Sequence, residues 1–328
     1  MCARTVIAAA LLTVASPALA DSPESFPPAP PPAVSATGIV DPQAEVLALE
    51  RDRHARFTLP VLVDGTGPFD FMIDTGSQAT AVTEEIRTAA KLAPAGKAVL
   101  VGMASRREVE LASVGRIDFG TNSFTDFAAP VLMREHLGAD GIIGLDALQD
   151  FRVLIDFRKH TIAVEDASVR EKTGGYEIVV RARPRLGQLL ITDALVEGVR
   201  ATVIIDTGAQ ASLGNLALRR RIQAKRAEEV LTTDVNGVDI VGQLAFVRSL
   251  TIADLSLTDV PLTFADTPAF AELGLTEQPT LSIGMQHLEL FDRVAIDFGR
   301  QRIMFDVPSD VARALRNARR GTSYSQRF

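Results

Sequence analysis

The triplet Asp-Thr-Gly occurs twice in this chain, as Asp74-Thr75-Gly76 and Asp206-Thr207-Gly208. Each copy follows an apolar run, Phe71-Met72-Ile73 or Val203-Ile204-Ile205. Each is followed by a small residue, then Gln, then Ala: Ser77-Gln78-Ala79 and Ala209-Gln210-Ala211. One carboxylate at the end of an apolar strand is ordinary; two in matching contexts are a pair of acids built to meet. Two carboxyls brought together in a partly dry site cannot both ionise easily, so one proton is shared and the pair titrates in two separated steps. The ionised member can take a proton from a water lying between them. The protonated member can donate to a carbonyl oxygen, so that water attacks directly and no covalent intermediate forms.

Two such acids must be held by elements that repeat as well, and the chain does repeat. Val63-Asp64-Gly65 precedes the first triplet and Val196-Glu197-Gly198 the second. Ile117 through Asp126 parallels Leu250 through Asp259, at an offset of 132 or 133 residues. Ile142-Ile143-Gly144 is then answered by Ser282-Ile283-Gly284 at 140, and Leu154-Ile155-Asp156-Phe157 by Ala295-Ile296-Asp297-Phe298 at 141. The change of offset places a short insertion in the second half, around Pro268 to Glu277. A steady offset over many elements means duplication of a whole folding unit.

Each unit reads as mainly β. Phe57–Val63 and Phe69–Ile73 are strands around an Asp64-Gly65-Thr66-Gly67-Pro68 turn. Val99 to Val114 is expected to form a hairpin turning near Ala104 to Arg107. Its counterpart is Leu231 to Leu244, with Asn236-Gly237 as the turn and positive φ expected at both turn positions. Helices are expected to be few: Thr83 to Lys91, Leu216 to Ala227, and a turn or two after Gly144 and Gly284.

An apolar strand, Asp-Thr-Gly and a later apolar-apolar-Gly, all occurring twice between Arg51 and about Val307, resemble the aspartic protease superfamily and its retropepsin-like branch most closely. The arrangement looks like a two-lobed, duplicated bacterial periplasmic aspartyl protease in which one chain supplies both acids. The resemblance implies an all-β fold of two homologous retropepsin/pepsin-like lobes with the active site between them. It also implies aspartic endopeptidase activity, with Asp74 and Asp206 as the catalytic pair. Thr75 and Thr207 would cross-bond to the opposite turn. Gly76 and Gly208 would let the backbone approach the carboxylates, with Ser77 and Ala209 completing the active-site loops, and Gly144 and Gly284 would let a strand pass close behind. The substrate implied is an extended peptide or protein, paired strand-like across the cleft. The alternative is a catalytically silent protease-like module that binds extended peptides or a partner protein.

The chain departs from the retroviral pattern at several points. Gln78 and Gln210 stand where retroviral enzymes carry Asp, and Leu145 and Met285 stand where the Arg that pairs with that Asp would be. Loss of both suits lobes already joined covalently, and frees the Gln amides to bond a substrate backbone. Ser282 interrupts the apolar-apolar-Gly pattern of the second unit. Neither hairpin carries a Tyr, so substrate coverage is expected from Val101, Met103, Val235 and Val238. A hydroxyl at Ser77 beside Asp74, with only Ala209 beside Asp206, makes Asp74 the expected bearer of the charge. Other chemistries find no support. The four His show no metal-ligand spacing, no nucleophile elbow or phosphate loop is present, and no cofactor or metal is expected.

The bulk composition bounds the setting. The 328 residues suit two domains of ordinary size. The N-terminus reads as a signal peptide, with Arg4, an apolar stretch from Thr5 to Val14, and Ala18-Leu19-Ala20 as a cleavage site. The chain is therefore expected in the periplasm or secreted, with residues 1–20 removed. Taking away Arg4 moves the net charge from −7 to −8, a poor match to nucleic acid. Cys2 is the only cysteine, so the mature chain would have no thiol. Residues 21–50 read as a Pro-rich spacer, 51–170 and 171–310 as the two lobes, and 311–328 as a basic tail. No transmembrane segment is expected in the mature chain. With both acids on one chain, a monomer suffices.

Overall fold

A computed structural model describes residues 5–7, 11–13, 45–48, 50–51, 57–168, 176–222 and 225–316. The expected cleavage site after Ala20, residues 21–44 of the expected spacer and the tail beyond 316 lie outside the described residues. The described chain is mostly strand, in three sheets: one nine-stranded sheet for each half and a six-stranded sheet between them.

The two nine-stranded sheets follow one plan. In the first half, Phe57–Val63 runs antiparallel to Thr66–Ile73, which lies parallel to Gly141–Ile143 with Ile142 opposite Met72. In the second, Gln188–Val196 runs antiparallel to Val199–Ile205, which lies parallel to Thr280–Ile283 with Ser282 opposite Ile204. Each Asp-Thr-Gly triplet begins where its central strand ends. A long hairpin extends from each lobe: Ala93–Val101 with Arg106–Phe119, and Lys225–Asp234 with Asp239–Ile252. The β-branched and aromatic residues of the central strands account for this choice, because they pack on both faces of a buried sheet. Phe71, Ile73, Val203 and Ile205 are all in the main core.

The six-stranded sheet joins the lobes. Phe151–Asp156 of the first pairs with Arg293–Asp297 of the second, Val153 opposite Ile296. Buried Asp297 receives the Arg300 N–H and lies against the Arg152 and Arg302 guanidiniums. Burial alone would raise its pKa, but these donors and charges outweigh it and hold the carboxyl below the usual range. Arg152 belongs to the first lobe, so this ion cluster fastens one lobe to the other.

Three local expectations change. The helix expected over Leu216 to Ala227 is a single turn, Leu216–Arg219, capped by the Asn215 side chain; the chain from Lys225 onward is already hairpin strand. Local helix propensity is a fraction of a kcal/mol per residue, and cross-strand pairing outweighs it. The hairpin turn at Asn236-Gly237 has positive φ at Gly237 but not at Asn236. The Asp234 carboxylate takes the Asn236 and Val238 N–H groups, which favours a turn with a single left-handed residue over a two-residue primed turn. Third, the sheet reaches into the stretch read as spacer: Glu45–Ala48 pairs with Thr161–Asp166, extending the inter-lobe sheet by one edge strand. The N-terminal segments Thr5–Ile7 and Leu11–Thr13 lie along Ala93–Val101 and Lys225–Asp234 respectively. Among the described residues, no helix is long and apolar enough to cross a membrane.

Candidate active site

The two triplets meet at the centre of the molecule, and their threonines interlock. The Thr75 N–H donates to Thr207 Oγ1 at 3.1 Å and the Thr207 N–H to Thr75 Oγ1 at 3.2 Å. Each hydroxyl then donates across the pseudo-twofold to the strand before the other triplet: Thr75 to the Ile205 carbonyl and Thr207 to that of Ile73, both at 2.7 Å. Four bonds in a buried place fix the two turns relative to each other, and such a network is stiffer than its members singly. Each turn is also tied from behind. The Asp74 N–H donates to Ile143 and the Asp206 N–H to Ile283, both at 3.0 Å. Gly144 and Gly284 are required at this crossing: a Cβ at Gly144 would run into the backbone of Ala79 and Thr80, and one at Gly284 into that of Ala209 and Ala211.

Both aspartates are buried. Asp74 Oδ1 accepts the N–H groups of Gly76 and Ser77 at 2.8 and 3.0 Å, and Asp206 Oδ1 those of Gly208 and Ala209 at 3.2 and 3.1 Å. The Asp74 carboxyl lies against the backbone of Gly208, where any Cβ would overlap it. Burial, and after it the facing Asp74 carboxyl, push Asp206 well above the usual carboxylate range, against the pull of its hydrogen-bond donors. The pair therefore retains a proton at pH values where isolated carboxyls have lost theirs.

The hydroxyl beside the pair is not where the sequence places it. Ser77 turns its Oγ to the Ala79 carbonyl at 2.9 Å and bonds Asp74 through its backbone only. A hydroxyl does reach a carboxylate, but in the other lobe: Ser282 Oγ lies 3.2 Å from Asp206 Oδ2. The reason is the direction of the turn, which aims the Ser77 side chain back along its own loop. Ser282 projects from the parallel strand toward Asp206. The residue that breaks the apolar pattern is thus the one that touches the pair.

The expected substrate contacts also separate. Gln78 donates its amide to the Leu186 carbonyl at 2.7 Å, so it holds the second lobe's Arg183–Arg185 segment against the first lobe. Gln188, which sequence reasoning passed over, donates to the Gly76 carbonyl from the same region. Gln210 is half-buried, and its Oε1 is enclosed without a hydrogen-bond partner. Of the four hairpin residues, Met103 and Val235 sit at the tips and are buried in the opposite lobe. Met103 packs with Ile204, Ala269, Phe270 and Leu273, and Val235 with Met72, Ile142 and Leu137. Val101 is buried, whereas Val238 is 39% exposed, since the turn carries it away from the tip contact.

Asp234 fastens the two tips. Its buried carboxylate receives the Ala104 N–H and the Ser105 hydroxyl of the first hairpin at 3.1 and 2.7 Å, while its other oxygen shapes its own turn. Arg106 adds an ion pair to Glu272 on the helix Pro268–Glu272, which lies in the second-lobe insertion. Under these tips a small cavity of about 10 Å³, room for about one water, lies beside Asp206, lined by Met103, Gln188, Ile204, Ala269, Phe270, Leu273 and Ser282. The insertion supplies three of those residues. Among the described residues there is no group of His, Cys, Asp and Glu that could hold a metal ion.

No curated protein matches the chain significantly. The family model described as aspartyl protease matches it twice, over residues 59–147 and 192–287. Each match spans one Asp-Thr-Gly turn, one hairpin and one apolar-Gly strand, and together they cover more than half of the chain. With one matched region in each of two like lobes, the chain belongs to the aspartyl protease family.

Proposed function

We propose that this protein is an aspartic endopeptidase that hydrolyses peptide bonds with a water held between Asp74 and Asp206. The observation that carries the reading is the buried, facing carboxyl pair on two turns locked by Thr75 and Thr207. One carboxyl is ionised and accepts a proton from water; the other is protonated and donates to the scissile carbonyl oxygen, giving a tetrahedral diol. The fixed turn N–H groups hold the carboxyl pair without reorganisation. Collapse of the diol returns one proton to the leaving nitrogen and one to the carboxyl pair. An extended peptide would run beneath the two hairpins, which would have to lift Met103 from its seat beside Asp206 to admit it. The signal-like leader supports a periplasmic or secreted workplace, and a single chain carrying both acids supports a monomer.

A peptide-library digest read by mass spectrometry across acid to neutral pH tests this. Cleavage is expected from the unmutated chain, with a loss on the order of 10³-fold or more in Asp74→Asn and in Asp206→Asn. A second reading, a module that binds extended peptides without cutting them, draws on the tips of the hairpins: Met103 is seated beside Asp206, and Val235 is buried in the opposite lobe. Peptide binding without cleavage at every pH by the unmutated chain would establish that reading and end the first.

A further inference from the structure

The two carboxyls are alike in burial, in the number and kind of their backbone donors and in the locks that hold them; the donors are somewhat shorter at Asp74, so the backbone does not by itself favour charge on Asp206. The neighbouring parallel strand does differ. Ile142 and Ser282 occupy the same place in the two lobes, opposite Met72 and Ile204. Ile142 packs into the apolar cluster around Val235, and Ser282 turns a hydroxyl to Asp206 Oδ2. Ser282 is itself only 3% exposed. A buried hydroxyl at a position where an aliphatic side chain would contribute about 2 kcal/mol of burial is tolerated only with a hydrogen-bond partner.

We propose that Ser282 is a positioning residue of the pair: by donating to Asp206 it places the negative charge there and leaves the shared proton on Asp74. Asp206 then takes the proton from the attacking water, and Asp74 gives its proton to the carbonyl oxygen. When the diol collapses, Asp206 passes its proton to the leaving nitrogen, the C–N bond breaks, and Asp74 recovers a proton from a diol hydroxyl. The pair ends as it began. The groups facing Asp206 are few: Asp74 from the opposite turn, Ser282 from the adjacent strand, and the Gly208 and Ala209 N–H groups of its own turn. Gln188 and Met103 share its pocket and carry no charge. The bond is longer than the strongest hydroxyl–carboxylate bonds, so its effect on the charge is modest.

This inference deepens the protease reading and rests on it for its chemical roles, but its test does not depend on turnover. The full chain, ¹³C-labelled at the aspartate carboxyls, is titrated by NMR, in parallel with the pH profile of kcat/KM on a cleaved library peptide. In Ser282→Ala the first ionisation of the pair and the acid limb should both move up by about 0.5–1 pH unit. Ser282→Thr, which keeps the hydroxyl, should match the unmutated protein. In an Asp74→Asn background, where Asp206 titrates without its partner, adding Ser282→Ala should move the Asp206 signal upward by a similar amount. Should Ser282→Ala not fold, Ser282→Cys, close in size but a poorer donor, should show a smaller upward shift. No shift, or a shift downward, overturns the proposal. If the unmutated chain cuts nothing while the carboxyl signals still move, the protease reading fails and the placement of charge stands; cleavage with unmoved signals has the opposite meaning.

Discussion

The two lobes share one plan and differ at the places that surround the acids. Behind each active-site turn a hydroxyl receives the N–H of the crossing glycine: Thr80 from Gly144 at 3.1 Å and Ser212 from Gly284 at 3.0 Å. Each hydroxyl then bonds a titratable side chain on the short helix that follows, Leu145–Leu148 or Met285–Leu288. In the first lobe this is Asp146, at 2.7 Å; in the second it is His287, whose Nδ1 lies 2.6 Å from Ser212. The same brace is built from an acid in one lobe and a base in the other. Duplication preserved what the geometry needs, two turns crossed at a glycine, and left free the chemistry that surrounds them.

The strictest test of likeness is the glycine crossing. Gly144→Ala and Gly284→Ala each force a Cβ into backbone that has no room to yield. Each should cost about 3 kcal/mol in urea unfolding, by equal amounts within error. If one is tolerated, the lobes are not equivalent at the crossing and the comparison breaks there.

The hairpins supply a test of unlikeness. Only the second tip carries an acid that grips the first, so Asp234→Ala should release Ala104 and Ser105. Closure should weaken by about 2 kcal/mol, read as faster hydrogen exchange at residues 102–106 and 234–238 with the core strands unchanged. Ser105→Ala should give a smaller effect of the same kind. Protection left unchanged in Asp234→Ala would mean that apolar seating of Met103 and Val235 closes the hairpins unaided.

The smallest effect lies in the pH dependence of the two braces. Burial lowers the pKa of His287 from its ordinary value. Between that ordinary value and the lower folded one, the unfolded chain binds more protons, so this contribution to stability is present above about pH 6.5 and is lost as pH falls. For Asp146, burial outweighs the donors from Thr80 and Ala147 and raises the pKa. Its contribution has the opposite sign, present below about pH 4 and lost as pH rises through the folded value. Replacing His287 with Gln should flatten the loss of stability as pH falls below about 6.5. Asp146→Asn should leave that window unchanged and instead alter how stability changes as pH rises above about 4. Matching changes in the two variants would show that the braces do not titrate separately.

Much of this was legible in the chain. The doubled triplet, the offset and the apolar-Gly strings gave two β lobes, because strand periodicity and glycine at a close crossing are local demands that local residues must meet. Asn236-Gly237 marked a hairpin tip for the same reason. The length of the helix after Asn215 was not legible, since hairpin pairing from further along the chain overrode its propensity. Nor were Asp234, Gln188 and His287, whose partners lie at the other tip, across the lobes or some 75 residues away along the chain. Ser282 was visible as a break in pattern, but its meaning was not, because strand alternation fixes a face and not the carboxylate at its end.

The sequence by itself determined that two acids exist in equivalent settings, that each ends a buried strand, and that one chain supplies both. Those facts follow from composition and spacing within each repeat. Tertiary structure decided which hydroxyl reaches which carboxyl, which side chains fill the space under the hairpins, and that the second hairpin fastens the first. Each of these depends on the relative placement of two lobes. That placement is set by the Thr75–Thr207 lock and the inter-lobe sheet, whose partners are distant in sequence and converge only when the whole core is formed.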